Sequence, residues 1–475
     1  MVNNDFRIEE DTLGKVKIPR SSLWGPQTQR SKNNFQAGEY MPLSIIKALL
    51  QIKKQAAIAN KELKELSQQK SQLIVKAIDR LLSLSDKKLR ADFPLKIYQT
   101  GSGTQTNMNA NEVVSNLAFK ISPQIKILPN DDVNHGQSSN DTFPTAMNIA
   151  ASLAVKKLEK AVSHLTKVFK EKQKKYWQTV KIGRTHLQDA TPLTFGQEIS
   201  GWVSSLEHDL YYLKQLEPTL LELPIGGTAV GTGLNAAPGL ADKVAFKLSK
   251  LYRLDFSART NKFFGLAAHS PLNVVHGGIK TLAADLMKIA NDIRFLASGP
   301  RAGYGELNLP ANEPGSSIMP GKVNPTQAEA LTMATVRVAG NDVVINMASS
   351  QGNFEMNVYK PVLIAAFLES VKILTETVKG FTDKMVAGLS VNQKRMSTLV
   401  QRSLMTVTAL SPHIGYQASA KIAQAANKTG STLKEAALKS GKVTENQFNK
   451  WVDPLKMTNI GATFPKSNSS EKKND

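Results

Sequence analysis

The chain has 475 residues, enough for about three domains of ordinary size and for a large buried core. It contains no cysteine, which excludes disulfides, a catalytic thiol and cysteine-ligated metal centres, so its chemistry must use oxygen and nitrogen groups. A net charge of +21 raises nucleic acid, anionic membranes and anionic small molecules as partners. The lysines are spread at helical spacing without interleaved aromatics, which favours a solvated surface and leaves a partner-facing patch as the alternative.

The first residues, MVNNDFRIEEDTLGK, include several acids and no apolar run. We therefore expect no signal or transit peptide and a cytoplasmic location. No stretch approaches the roughly 18 uncharged apolar residues of a membrane span, so no membrane partner is expected. A short extended piece is predicted at 16–19, and helices are predicted over about 43–60 and 68–84.

The middle of the chain predicts long helices, because apolar residues recur there at alternating steps of three and four. Three seams have this spacing: Ala151, Val155, Leu158, Val162, Leu165 and Phe169; Ile199, Val203, Leu206, Leu210 and Leu213; and Ile279, Leu282, Leu286, Ile289, Ile293 and Leu296. The segment with Leu363, Phe367, Leu368, Val371, Leu374 and Val378 is compatible with a fourth seam. A helix of about 25 residues is a rod about 37 Å long, whose apolar sides can also pack against other subunits. We therefore expect a helix bundle and an oligomer.

Changes in helix length define the predicted domains. They are a mixed, mainly helical N-terminal domain over 1–139, a central long-helix bundle domain over 140–390 and a small C-terminal helical domain over 391–475. Pro412 and Gly415 interrupt the helical pattern of the third domain. Its last residues, KSNSSEKKND at 466–475, have almost no apolar content, and we expect them to be disordered.

Four polar segments interrupt the helical pattern, and the lid loop, 298–325, is the longest. Its five glycines and five prolines exclude a helix. A loop of this length between two helices is uncommon unless it is disordered or functional, and this one keeps apolar residues between 318 and 323, which favours a functional lid. Its candidate site residues are Ser316, Ser317, Lys322 and Asn324.

The threonine segment, 100–112, crowds hydroxyl and amide side chains of the kind that orient a polar ligand, and a capped helix start is the alternative interpretation. The serine segment, 129–155, has polar residues directly before a predicted long helix. A helix start has unpaired N–H groups and the positive end of the dipole, so these residues predict a carboxylate or phosphate site, with an ordinary N-cap as the alternative. They are Ser138, Ser139, Asn140 and Asp141.

The histidine segment, 183–198, places Thr185 and His186 ahead of another long helix. Of the seven histidines, His186 is the one we select as a catalytic candidate, because of its polar neighbourhood. The string GGTAVGTGLN at 226–235 lacks the preceding strand and the spacing of a nucleotide-binding loop, so it predicts a tight loop between helices.

These segments resemble stretches characteristic of the fumarase/aspartase superfamily, and GSSIMPGKVNP at 315–325 is similar to its signature loop. Sequence similar to class II (metal-independent) fumarases runs through nearly the whole chain, including LWGPQTQRS, QTGSGTQTNMNANEV, PNDDVN, QSSND, GRTHLQDATPLTFGQE and QGNFEMNV. Gly321 and the pair Thr326 and Gln327 resemble fumarases more than aspartases.

The resemblance implies an all-α fold of three-domain subunits, with a central bundle of long helices, and a homotetramer with a twenty-helix core. Each active site would be built from segments of three subunits. The implied reaction is the reversible hydration of fumarate to L-malate with no cofactor and no metal, and an aspartate ammonia-lyase is the alternative. A further alternative is an enzyme homologue that has lost its activity and has a structural or nucleic-acid-associated role. The presence of Ser316, Lys322, Asn324 and His186 argues against it.

The resemblance also implies roles for individual residues. Ser316 would remove the C3 proton, His186 would activate water or protonate the leaving hydroxide, and Glu329 would polarise that histidine. The implied substrate-binding residues are Ser102, Gly103, Thr104, Ser138, Ser139, Asn140, Thr185, Ser317, Lys322, Val323 and Asn324. The family's second dicarboxylate site would keep Asn130 and Asp131, but Ile125 and Leu128 replace its arginine and histidine, which puts that site in question.

Overall fold

The computed structural model describes residues 5–461, so the predicted disorder of 466–475 lies outside the described residues. The N-terminal part begins with a two-stranded antiparallel hairpin, which confirms the extended piece at 16–19. The two helices predicted over about 43–60 and 68–84 are present over 43–62 and 68–82. The elements are β1 (Phe6–Asp11), β2 (Gly14–Pro19), α1 (Pro26–Asn34), α2 (Leu43–Glu62), α3 (Gln68–Leu82), α4 (Asp86–Asp92) and α5 (Thr104–Ile121).

Long helices dominate the middle of the chain, as predicted, and five of them have between 22 and 37 residues. Every residue of the four predicted seams is buried, so the seams are confirmed. The helices are α6 (Ser139–Lys175), α7 (Phe195–Leu216), α8 (Leu240–Tyr252), α9 (Lys262–Ala267), α10 (Ser270–Leu296), α11 (Thr326–Ser350) and α12 (Lys360–Phe381).

The sheets of the described residues are small two-stranded ribbons, which agrees with an all-α fold. Pairing is antiparallel except between β5 and β6. The pairs are β3 (Val180–Thr185) with β4 (Gln188–Thr194), β5 (Glu222–Leu223) with β6 (Ser257–Ala258), β7 (Leu307–Asn308) with β10 (Ser390–Val391), and β8 (Gly352–Asn353) with β9 (Met356–Asn357). Short 3₁₀ or π turns cover Pro129–Val133, Glu217–Leu220, Thr382–Val386 and Leu404–Leu410.

The helices after residue 390 are shorter, as predicted, and Gly415 separates two of them. The stretch over 404–452 has a small core of its own that includes Leu410, Ile422, Leu433 and Phe448. They are α13 (Gln393–Arg402), α14 (Ser411–Ile414), α15 (Tyr416–Thr429), α16 (Leu433–Lys439), α17 (Glu445–Trp451) and α18 (Pro454–Met457).

Backbone packing divides the chain into two compact units. The first unit comprises Met1–Glu159, Tyr211–Ala283 and Ala334–Thr375, and the second comprises Lys160–Leu210, Ala284–Met333 and Glu376–Asp475. The boundaries fall within the five long helices, whereas the three-domain division at about 140 and 390 stays a prediction. Over residues 5–461, no helix is both long and apolar enough to cross a membrane.

Candidate active site

The threonine segment forms the start of α5 in the first unit. Gly103 has a φ of 81° and is the residue before the helix, and the Ser102 and Thr104 hydroxyls share a hydrogen bond of 2.8 Å on either side of it. A side chain at Gly103 would collide with the Phe143 ring, which lies 2.3 Å from the position of its Cβ. The segment is therefore a helix start, and it also holds two hydroxyl groups side by side.

The serine segment forms the start of α6. The backbone N–H of Ser138 donates to Asp141 Oδ1 at 2.9 Å, and the backbone N–H of Asn140 donates to Ser138 Oγ at 3.2 Å. The amide of Asn140 donates to the carbonyl oxygen of Ala229 at 2.7 Å. Capping therefore occupies Asp141 and one lone pair of the Ser138 hydroxyl, whereas the hydroxyl proton of Ser138 remains available as a donor.

Asn107 joins the threonine and serine segments. Its amide nitrogen Nδ2 donates to Ser139 Oγ at 3.0 Å, and its Oδ1 accepts a hydrogen bond from Thr142 Oγ1 at 3.1 Å. The first unit thus brings together two groups of predicted binding residues that are more than thirty positions apart in sequence.

Asp141 is fully buried and ties a third segment to the serine segment. Its Oδ2 accepts the backbone N–H groups of Gly226 and Thr228 at 2.9 and 3.0 Å, which holds the loop 226–235 in place. Burial raises the pKa of the Asp141 carboxyl to about 6, although these N–H groups favour the charged form. The predicted tight loop is confirmed, since 226–235 contains neither helix nor strand.

The histidine segment is a hairpin of the second unit rather than a simple approach to a helix. His186 and Leu187 form the two-residue turn between β3 and β4, with φ values of 56° and 61°. Positive φ at both central positions defines a type I′ turn, in which glycine and asparagine are the usual residues. The turn projects an exposed His186, next to Thr185 and Gln188, at the cost of backbone strain of the kind found at functional sites.

The lid loop surrounds the hydroxyl of Ser316 with backbone donors. The N–H groups of Ile318 and Met319 donate to Ser316 Oγ at 3.2 and 3.0 Å. The loop is closed by Gly315, whose N–H donates to the Lys322 carbonyl at 2.8 Å. The Asn324 amide donates to the Gly315 carbonyl at 2.6 Å, while Ser317, Lys322 and Val323 are exposed.

Glu329 lies in the first turn of α11, half-buried. Among the described residues of the second unit, no hydrogen bond joins Ser316, His186 and Glu329. The two units thus present two separate groups of predicted site residues, one with Ser102, Thr104 and the serines of α6, the other with the lid loop and the histidine hairpin.

The predicted second site lies on the π turn of Pro129–Val133. Asn130 and Asp131 are exposed, and the neighbouring Asp132 is engaged elsewhere, since it accepts the Leu128 N–H at 2.7 Å and pairs with Lys70. No group of three or more histidine, aspartate or glutamate side chains suited to a metal occurs in the part of the chain that the structure describes.

Lys53 is a buried polar residue near the site that the sequence analysis does not predict. Its ammonium donates to Asn134 Oδ1 at 2.8 Å and Gln137 Oε1 at 3.1 Å, and burial lowers its pKa to about 7. The spacing of α2 contains the signal, because Lys53 occupies a position on an apolar seam at steps of three and four. That seam is Ile46, Leu49, Lys53, Ala56 and Asn60.

A chain of long helices whose connecting loops present serine, histidine and lysine has the architecture of an all-α lyase. A family model described as "Lyase" matches residues 14–340, and one described as "Fumarase C C-terminus" matches residues 407–459. The chain is 56% identical to "Fumarate hydratase class II" of Listeria monocytogenes serotype 4b (strain F2365) over 96% of its length and 100% of the relative. It is 52% identical to the protein of the same name from Bacillus subtilis (strain 168), over 95% of this chain and 99% of that one.

Structural comparison agrees with the sequence matches. The crystal structure of recombinant class II fumarase from Schistosoma mansoni matches with a TM-score of 0.91 at 42% identity, covering 95% of this chain and 99% of that chain. The chain therefore belongs to the class II fumarase family, as the resemblance of its motifs indicates.

Proposed function

We propose that this chain is a fumarate hydratase, which interconverts fumarate and L-malate without a cofactor. The observation that supports it most directly is the lid loop, which directs two backbone N–H groups at the hydroxyl oxygen of Ser316. Relatives named fumarate hydratase class II, 52–56% identical over nearly the whole chain, support the same activity.

The substrate is a small dianion, and the hydroxyl groups of the first unit are suited to its two carboxylates. Carboxylate oxygens accept hydrogen bonds and do not donate them, so a carboxylate site needs donors. In this proposal the binding residues are Ser102, Gly103, Thr104, Ser138, Ser139 and Asn140 from the first unit, with Thr185, Ser317, Lys322, Val323 and Asn324 from the second.

Ser316 is the base in the proposed mechanism. Dehydration of malate removes a weakly acidic proton from the carbon next to a carboxylate, and leaves an aci-carboxylate carbanion. A neutral hydroxyl is too weak a base for this step, but the N–H groups of Ile318 and Met319 stabilise an alkoxide at Ser316 Oγ. The Lys322 ammonium, on the same loop, adds positive charge where the carbanion's charge accumulates.

His186 acts on the oxygen of the substrate. It takes a proton from water in hydration and returns one to the leaving hydroxide in dehydration, and each such step contributes about 10²–10⁴ in rate. Glu329 polarises His186 in this proposal. Within the described second unit no hydrogen bond joins Glu329 to His186. In the proposed site, therefore, Glu329 and His186 come from different subunits.

An exposed apolar face on α11 supports a homotetramer. A helix in a monomer normally presents polar residues to solvent, but α11 exposes large apolar residues at steps of three and four around Gly340. They are Met333, Val336, Val343 and Met347, which are 56–68% exposed. Subunit contacts along this face would cover them and bring the two groups of site residues from different subunits together.

Parallel assays with L-malate and L-aspartate test the proposed activity, because both substrates yield fumarate, which absorbs in the ultraviolet. We expect fumarate from malate alone. Fumarate from aspartate would instead support the ammonia-lyase, and turnover of neither substrate would contradict both. The cytoplasmic location and an impaired second site at Asn130 and Asp131 stay predictions, as does the absence of nucleic-acid and membrane partners.

A further inference from the structure

Lys53 is a buried cation next to the proposed substrate-binding serines, and the mechanism above gives it no role. The side chain is fully buried on α2, and its ammonium contacts the side-chain oxygens of Asn134 and Gln137. The hydrogen-bond partners of this ammonium are neutral, and the charge that favours it is the nearby carboxyl of Asp141, with which it forms no ion pair. Burying it therefore costs free energy, which a leucine or methionine at this seam position would avoid. Its contacts therefore point to a use other than packing.

The ammonium sets the orientation of the amides around it. In its protonated form lysine has three N–H donors and no acceptor, so Asn134 must present its oxygen, Oδ1, to the Lys53 ammonium. The same oxygen accepts Nδ2 of Asn107 at 3.1 Å. Asn107 must therefore keep its nitrogen on this side, and that nitrogen also donates to Ser139 Oγ at 3.0 Å.

The far side of Asn107 is compatible with this orientation, because its Oδ1 lies 3.1 Å from the Thr142 hydroxyl, whose single proton is shared with the Ser138 carbonyl oxygen at 2.8 Å. Flipping the Asn107 amide would place its oxygen against Asn134 Oδ1 and would require Ser139 to donate its proton to Asn107. Ser139 Oγ, which accepts from Asn107, keeps its own proton for a further partner. A hydroxyl oriented in this way is a donor to an anionic oxygen.

We propose that Lys53 is a positioning residue for the dicarboxylate substrate: through Asn134 and Asn107 it holds the Ser139 hydroxyl as a hydrogen-bond donor to a substrate carboxylate. This inference rests on the proposed function, since it assumes that the substrate contacts Ser139. In this chain of hydrogen bonds Asn134 Oδ1 accepts from both Lys53 and Asn107, and Asn107 donates onward to Ser139. It links a lysine that does not touch the substrate to a hydroxyl that does.

A double-mutant cycle tests the link. We expect Lys53→Met to lower kcat/KM for L-malate about tenfold, mainly through KM, with kcat within about threefold of wild type. In a Ser139→Ala background the same change should lower kcat/KM less than about twofold, because the hydroxyl it positions is already missing. Lys54→Met is the matched control: Lys54 follows on the same helix, pairs with Asp79 at the surface, and should change neither background.

Losses that multiply fully in the double variant would overturn the inference, because they would show that Lys53 supports the fold independently of Ser139. Asn107→Asp is a second test of the inference, because the new carboxylate would accept the Ser139 proton that the substrate needs. We expect KM for L-malate to rise more than about tenfold. An unchanged KM would also overturn the inference. Succinate is a dicarboxylate that the enzyme does not turn over, so its dissociation constants, measured by calorimetry for the same four proteins, give the same cycle for binding alone. A wild-type protein that hydrates no fumarate would overturn the proposed function, whereas the succinate cycle decides the role of Lys53 separately.

Discussion

Arg184 and Glu306 form a two-point ion pair, in which Nη1 and Nη2 of the guanidinium donate to the two carboxylate oxygens at 2.9 and 3.3 Å. Arg184 lies on β3, two residues before His186. Glu306 is fully buried and directly precedes β7, within the first half of the lid loop. The guanidinium also lies 4.4 Å from the centre of the Tyr304 ring. The ion pair therefore ties the β3–β4 hairpin, whose turn contains His186, to the first half of the lid loop.

Replacing Arg184 by methionine should cost both stability and turnover. The substitution leaves the Glu306 carboxylate buried with Lys181, at 3.8 Å, as its remaining cation, and breaking such a pair costs about 3–5 kcal/mol. We expect a clear fall in melting temperature and in kcat. The double variant Arg184→Met/Glu306→Met should recover part of the melting temperature, because no carboxylate is left buried, but little of kcat. An unchanged melting temperature in the single variant would contradict this account.

Ser316→Ala removes the proposed base. We expect kcat for L-malate to fall by about 10²–10⁴ with little change in melting temperature, because the side chain is only half-buried and its hydrogen bonds lie within the lid loop. Steady-state rates and size-exclusion chromatography together check this. Ser83→Ala, at an exposed helix end, is the control and should behave as wild type. Near-normal turnover in assembled Ser316→Ala protein would exclude the serine as the base.

His186→Asn removes the imidazole and is compatible with the backbone conformation of the turn. Asparagine tolerates the left-handed conformation better than most residues, so the type I′ turn should survive at a φ of 56°. We expect kcat to fall by about 10²–10⁴ at an unchanged melting temperature. His208→Asn, on the exposed side of α7, should leave both unchanged. If His186→Asn retained most of its activity, another group would have to act on water.

The long helices could be predicted because burial along a helix follows local spacing, as the Leu158 and Ile289 seams show. Two features escaped prediction for physical reasons. The turn at His186 and Leu187 lacks the glycine or asparagine that usually marks a type I′ hairpin. Lys53 occupies an apolar seam position, but a lysine is usually exposed at the surface. Its burial is explained by the side-chain amides of Asn134 and Gln137, which are distant in sequence.

The candidate site could be predicted residue by residue but not as an assembly. The motif around Ser316 identifies the lid loop, and the N–H groups that face its hydroxyl come from the same few residues. The contact between Asn107 and Ser139 depends on the packing of α5 against the start of α6, which no local pattern specifies. The sequence therefore predicts which side chains belong to the site, whereas the contacts between distant side chains depend on tertiary and subunit packing.

Asp209 should make stability depend on pH. It is a buried carboxyl on α7, 2% exposed, and burial together with the neighbouring Asp285 raises its pKa to about 7. The folded-state pKa lies above the unfolded value, so the contribution of this carboxyl to the free energy of unfolding is complete below about pH 4 and is lost as the pH rises through about 7.

Asp209→Asn removes that titration. We expect the substitution to stabilise the protein by roughly 1–3 kcal/mol more at about pH 8 than at about pH 5. At about pH 5 the carboxyl is neutral in the folded state and ionised only in the unfolded state, whereas at about pH 8 it is ionised in both. Melting temperatures at the two pH values check the difference. Glu207→Gln, an exposed neighbour paired with Lys170, should show no such pH dependence. An equal gain at both pH values would mean that Asp209 is not the titrating group.

Val343→Glu tests whether the exposed face of α11 is a subunit contact. Val343 is 63% exposed in the single chain, so a carboxylate there should leave the subunit fold intact, but in the proposed tetramer it would place a charge in an apolar interface. We expect light scattering to show smaller species and turnover to fall with the loss of assembly, because within the described second unit no hydrogen bond joins Ser316 to His186. Leu13→Glu, 78% exposed beyond β1, should remain tetrameric and active. A Val343→Glu protein that stayed tetrameric and active would show that this face is not the contact on which the site depends.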